Sequence, residues 1–160
     1  MYKLIIADDE PKIVSLLCKI INWEDLGFEV VYTSSDGKDV INYINKYDAD
    51  CILSDIRMIE LSGIELAEYV YNNYPKIKII LLSAYQDFSY AVNALKYNVY
   101  SYINKPLNID ELISAFSSLK TDLDKSNSDS ELIAYYIRAT LCDLIDRKFK
   151  SVYDIVPLLK

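Results

Sequence analysis

An α/β fold built on a doubly wound, five-stranded parallel sheet is predicted by three features of this 160-residue chain. Short apolar runs alternate with stretches whose apolar residues recur at helical spacing. The runs are near-continuous in Ile, Leu and Val, as strands covered on both faces must be. Several of them stop at charged or hydroxyl residues, and in open parallel sheets the site lies at the carboxyl ends of the strands.

Taken in order, residues 2–7 read as a buried strand. Pro11 suits a first helical position, with Asp9 as the cap, and Ile13, Leu16, Leu17, Ile20 and Ile21 follow at helical spacing. Trp23 to Gly27 connects to a strand over Phe28–Tyr32. Ser35-Asp36-Gly37 starts a helix carrying Val40, Ile41 and Ile44. Residues 50–54 form a strand, 56–62 a loop ending at Gly63, and Ile64, Leu66, Ala67 and Val70 a helix that stops before Pro75. Ile77–Leu82 is a strand, Ser83–Gln86 a loop and Phe88–Leu95 a helix. Val99–Ile103 is the last strand, and Ile109, Leu112, Ile113, Phe116 and Leu119 mark the last helix of the unit.

The alternation fills about the first 123 residues, read as one domain. Asp124–Ser130 is polar and reads as a linker. In the extension over 131–160, Ile133, Ile137, Leu141, Leu144 and Ile145 trace an amphipathic helix, and Ser151-x-x-Asp154 has capping-box spacing. Thirty residues are too few for an independent core, so this extension needs a surface to pack on.

Composition narrows the chemistry. With 52% apolar residues the chain can build a core, and its net charge of −7 argues against nucleic-acid binding by this chain itself. Three cysteines, Cys18, Cys51 and Cys142, are odd in number and lack a C-x-x-C pair, which suits reduced thiols in a cytoplasmic protein. No leader opens the chain, because Asp8-Asp9-Glu10 interrupts the first apolar run, and no run reaches membrane-spanning length. Histidine is absent, which removes His-based nucleophile systems, His-ligated zinc and a phosphohistidine donor role.

What remains is carboxylate, hydroxyl and ammonium chemistry, and it gathers at one edge. Asp8-Asp9, Asp55, Ser83 and Lys105 each follow a predicted strand. Singly they have ordinary explanations: a helix cap, a loop acid, a turn former, a surface turn before Pro106. Together, three acids around one point repel unless a cation joins them, and Mg²⁺ is hard, oxygen-loving and content to keep waters. A carboxylate beside such an ion can hold a phosphoryl group as a mixed anhydride.

Four segments in order, Ile6-Ala7-Asp8-Asp9-Glu10-Pro11, Leu53-Ser54-Asp55-Ile56-Arg57-Met58 with Gly63, Leu82-Ser83-Ala84-Tyr85 and Tyr102-Ile103-Asn104-Lys105-Pro106, resemble the receiver domain of two-component response regulators over about residues 2–123. The resemblance implies a flavodoxin-like sheet of order 2-1-3-4-5 with helices on both faces. It makes Asp55 the phosphoacceptor for a histidine kinase. Asp9, Asp55 and the Arg57 carbonyl would ligate Mg²⁺ or Mn²⁺, with Asp8 acting through water. Ser83 and Lys105 would hold the phosphate, the bond to Pro106 would be cis, and Tyr102 would swing inward with Ser83. Arg57 and Tyr85 would tune phosphate loss, and the last strand with the helices flanking it would favour a homodimer on phosphorylation. The domain would be a signalling phosphoacceptor rather than an enzyme, limited to self-catalysed transfer and slow self-dephosphorylation. One departure stands out: Ile59 occupies a place where the family usually has Pro, followed by the acid Glu60.

Ile21-Asn22-Trp23-Glu24-Asp25-Leu26-Gly27-Phe28 and Ser83-Ala84-Tyr85-Gln86-Asp87-Phe88 further resemble receivers attached to AraC-type DNA-binding domains, which implies a transcriptional output. On that reading the stretch 131–160 is the start of a helical middle region or a short helical extension. Two alternatives are a phosphate-independent interaction module, which Ile59 supports, and a haloacid-dehalogenase-type phosphohydrolase. Against the latter, Asp8-Asp9-Glu10-Pro11-Lys12 departs from D-x-D-x-[ST].

Overall fold

The computed structural model describes residues 1–84 and 94–155. Strand β1 (Tyr2–Ala7) is followed by α1 (Pro11–Ile20), β2 (Phe28–Ser34), α2 (Gly37–Ile44), β3 (Cys51–Asp55), α3 (Gly63–Asn73), β4 (Lys78–Ser83), β5 (Ser101–Asn104) and α4 (Ile109–Ile155). All strand pairs are parallel, in the order β2-β1-β3-β4-β5. The first strand therefore lies inside the sheet, and the chain winds outward from it in both directions. The loop expected at Ser83–Gln86 and the helix expected at Phe88–Leu95 lie largely outside the described residues, as does Tyr85.

Side chains alternate across a strand, so each strand feeds two cores. Ile5, Ala7, Ile52, Ile79 and Leu81 pack with Val40 and Ile44 of α2 and with Leu66, Ala67 and Val70 of α3. Their neighbours Leu4, Ile6, Leu53, Ile80 and Leu82 are equally buried and serve the opposite face. Close to β2, the Phe28 ring meets Phe116 of α4 edge to face at 5.1 Å, and Trp23 meets Phe116 at 4.7 Å. The Trp23 indole N–H donates to the Leu17 carbonyl, so the ring is buried without an orphaned donor.

Helix starts follow local chemistry. Ser62 and Glu65 close a capping box at α3. The Asn108 side chain accepts from the Asp110 and Glu111 amides at the start of α4. For α1 the expected cap is corrected: Glu10, not Asp9, is the capping residue, and its side chain makes no cap bond. Asp8 instead accepts from the Glu10 amide, which turns the chain out of β1.

The structure divides into two compact units, Met1–Lys120 and Thr121–Lys160. Residues 124–130, expected as a break, continue α4. Three serines there, Ser126, Ser128 and Ser130, donate to carbonyls four residues earlier, so their hydroxyls are satisfied within the helix. Ser151 likewise lies inside the helix rather than at a start.

Candidate functional site at the carboxyl edge of the sheet

Parallel register carries four separated segments to one edge. Ala7 lies beside Ser54, Asp55 beside Leu82, and Ser83 beside Asn104. The residues that end β1, β3, β4 and β5 thus arrive together.

Lys105 is the centre. Its ammonium lies 2.6 Å from Asp55 Oδ1 and 2.9 Å from Asp8 Oδ2, the latter 97 positions away in the chain. Both carboxylates are buried: Asp8 is 1% exposed and Asp55 6%. The Lys105 amide also donates to the Ser83 carbonyl at 2.6 Å, tying β5 to the end of β4. Ser83 itself is buried. The other Asp55 oxygen, Oδ2, accepts from the Arg57 amide at 2.7 Å, so the carboxylate is held from both sides. The Lys105–Pro106 peptide bond is cis.

Charge is unevenly shared. Burial pushes the Asp55 carboxyl above the ordinary carboxylate range; Lys105 and the Arg57 amide pull it down without cancelling that, and nearby Asp8 adds to the rise. Burial works against the Lys105 ammonium too, but bonds to Asp55 and Asp8 outweigh it and hold its pKa above the usual lysine value. One ammonium between two carboxylates leaves Asp55 a buried acid with an incompletely compensated charge.

The expected residues fall into three groups. Asp8, Asp55, Ser83 and Lys105 are brought to one point. Asp9 and Arg57 stand at the same edge with exposed side chains. Tyr102 is half-buried in β5 and packs against the core shared with α2 and α3. Of the three carboxylates expected at this edge, those of Asp8 and Asp55 pair directly with Lys105. Among the described residues no three His, Cys, Asp or Glu side chains draw close enough to cage a metal ion. Lys105 occupies the place between Asp8 and Asp55, and Asp9, one residue further on, faces solvent. Asp8 was expected to act through water; its direct ion pair with Lys105 is what sequence reasoning missed.

The donor chemistry still suits a hard divalent ion. Every candidate ligand is an oxygen, the edge carries more carboxylate than ammonium charge, and the exposure of Asp9 suits an ion that keeps much of its water.

Comparison with known proteins agrees with this geometry. Residues 4–117 match the family model for the response regulator receiver domain. The chain is 30% identical over 135 residues to the transcriptional regulatory protein YesN of Bacillus subtilis, covering 84% of this chain and 37% of that protein. It is likewise 30% identical to the transcriptional regulatory protein HptR of Staphylococcus aureus, covering 84% and 53%. The chain therefore spans between about a third and a half of these relatives. Among solved structures, the receiver domain of AraT from Geobacillus stearothermophilus superposes with a TM-score of 0.73 at 28% identity, covering 79% of this chain and 98% of that one. The response regulatory domain of mrkE from Klebsiella pneumoniae does so with a TM-score of 0.71 at 28% identity, covering 77% and 98%. The chain belongs to the receiver-domain family of two-component response regulators, a family of signalling domains with transcriptional regulators among its members.

Proposed function

We propose that this receiver domain takes a phosphoryl group onto Asp55 from a phosphohistidine of a partner kinase and changes its partner surface when it does. The observation that carries the reading is the Asp8–Lys105–Asp55 bridge, in which a buried carboxylate is oriented by an ammonium and an amide N–H yet left short of compensating charge.

An Asp55 carboxylate oxygen attacks phosphorus as the phosphorus–nitrogen bond to the donor imidazole breaks, and the product is an acyl phosphate. Asp9, Asp55 and the Arg57 carbonyl would hold Mg²⁺ or Mn²⁺, with Asp8 acting through water. When bound, that ion neutralises charge on the phosphoryl oxygens. Lys105 supplies a second positive charge already at the carboxylate, and the Ser83 hydroxyl donates to another phosphoryl oxygen. Arg57 and Tyr85 tune the loss of phosphate. The added charge loosens the hold of Lys105 on Asp8, and Ser83 and Tyr102 relocate in response. The surface formed by β5 and its flanking helices then favours a second copy of the chain. In a longer protein the output would be transcriptional, with DNA contacts made by another domain.

The test is intact mass after incubation with acetyl phosphate and Mg²⁺. Wild type gains one phosphoryl mass and Asp55→Asn gains none. Equal labelling of the two, or none on wild type, rejects the assignment. Dimerisation indifferent to beryllofluoride would instead favour a phosphate-independent interaction module.

A further inference from the structure

A second buried carboxylate lies outside the Lys105 cluster. Asp36 caps α2 and is 8% exposed. Its Oδ1 accepts from the Lys38 amide at 2.8 Å, as a helix cap should. Its Oδ2 reaches across 24 residues to accept from the Glu60 amide at 2.6 Å, and more weakly from the Leu61 amide at 3.4 Å. One side chain therefore satisfies donors on α2 and on the loop between β3 and α3.

Three further contacts converge on the same junction. The Gly37 amide donates to the Leu61 carbonyl at 3.2 Å. A Cβ on Gly37 would lie 2.6 Å from that carbonyl oxygen, so only glycine lets α2 approach so closely. Outside, Lys38 pairs with Glu60 at 2.6 Å. Asp36 itself is fixed by Ser34, whose hydroxyl donates to the Asp36 carbonyl and accepts from the Asp36 amide.

The loop leaves Asp55 and passes through Arg57 to Ser62. Near Asp55 it is held by the Arg57 amide, and at α3 by the Gly63 amide donating to the Ile56 carbonyl. At its apex Ile59 is 83% exposed, while Met58 and Leu61 on either side of Ile59 and Glu60 pack against the core shared with α2 and α3. The bonds to Asp36, with the Gly37–Leu61 bond and the Lys38–Glu60 pair beside them, tie the apex to the start of α2.

We infer that Asp36 is a positioning residue for phosphoryl transfer: it anchors the apex of the β3–α3 loop and thereby sets where the Arg57 backbone stands beside Asp55. This rests on the reading of Asp55 as phosphoacceptor. Burial opposes the charge of Asp36, but the Glu60, Lys38 and Leu61 amides and the Lys38 ammonium outweigh it and hold the carboxyl below the ordinary carboxylate range. Asp36 is therefore ionised, and accepting on both oxygens, wherever the domain is folded near neutral pH.

The experiment uses the full chain and acetyl phosphate with Mg²⁺. Rates of label gain and loss are followed by intact mass for wild type, Asp36→Ala and Asp36→Asn, well below each variant's melting temperature. Asp36→Ala is expected to take label roughly tenfold more slowly than wild type at subsaturating Mg²⁺, with the deficit narrowing as Mg²⁺ rises, the scale seen when a residue supporting a metal site is removed. Asp36→Asn, which keeps one acceptor oxygen, falls between the two and serves alone if the alanine variant does not fold. Label gain and loss by a folded Asp36→Asn within twofold of wild type at every Mg²⁺ concentration would overturn the inference. Failure of wild type to take label at all would instead overturn the phosphoacceptor reading on which it rests.

Discussion

Asp55 and Asp36 are the same residue type and both buried; burial pushes both carboxyls up, yet their net shifts run in opposite directions. Asp55 shares one ammonium with Asp8, receives one backbone N–H, and is pushed above the ordinary carboxylate range. Asp36 receives three backbone N–H groups and is held below that range. The difference lies in how deeply each carboxyl is desolvated and in what each was placed beside. Backbone amides stabilise a carboxylate without adding a competing acid, whereas a shared lysine leaves two acids contending for one charge. The contented carboxylate anchors structure; the contested one suits a group that reacts and changes its charge.

The comparison can be broken most forcefully at the lysine. Lys105→Ala leaves Asp8 and Asp55 buried without an ammonium between them. The domain should lose about 2–3 kcal/mol at pH 7, somewhat less than the roughly 3–5 of a fully enclosed pair because Lys105 and Asp55 still reach solvent at the sheet edge. Chemical denaturation at pH 7 and pH 5 checks this, and the loss should shrink at the lower pH as Asp55, whose carboxyl is pushed up by burial, takes up a proton.

Removing the other carboxylate should cost less. Asp36→Ala loses a helix cap and two loop bonds, an effect of about 1–2 kcal/mol near neutral pH. Its folded pKa is depressed, so its contribution is fully present above the unfolded-state value near about 3.9 and is lost as pH falls through the lower folded value. Unfolding curves of wild type and Asp36→Ala should therefore converge as pH drops below about 4.

At Asp55 the sign reverses. A raised folded pKa means the charged form weakens the fold as pH rises through the interval between the unfolded and folded values. Asp55→Asn should raise stability at neutral pH by about 1 kcal/mol while abolishing phosphoryl uptake, a trade of stability against reactivity. A melting temperature lower than wild type would show that Asp55 is as well compensated as Asp36. The smallest effect belongs to the exposed Lys38–Glu60 pair, where Lys38→Ala should leave the denaturation midpoint unchanged within error.

Much of this was legible beforehand. Apolar runs stopping at Asp8, Asp55, Ser83 and Lys105 announced a parallel sheet with polar residues gathered at one edge, because period and punctuation are local properties of a chain. Asp36 was legible only as half of its role. Asp-Gly before a helix signals a cap, but nothing near Asp36 signals the Glu60 amide, 24 residues away. A polar run at 124–130 signals a break, yet α4 continues through it, its serine hydroxyls bonded to carbonyls one turn back.

Residue order alone was thus enough to specify the five strands, their parallel arrangement and the edge where polar groups collect, since period and punctuation depend on neighbours within a few positions. Which acid pairs with Lys105, which one faces water, and which carboxylate is held below or above its ordinary range were settled only by folding. Those outcomes depend on burial and on partners up to 97 residues apart, and electrostatic energies follow distance in space rather than along the chain.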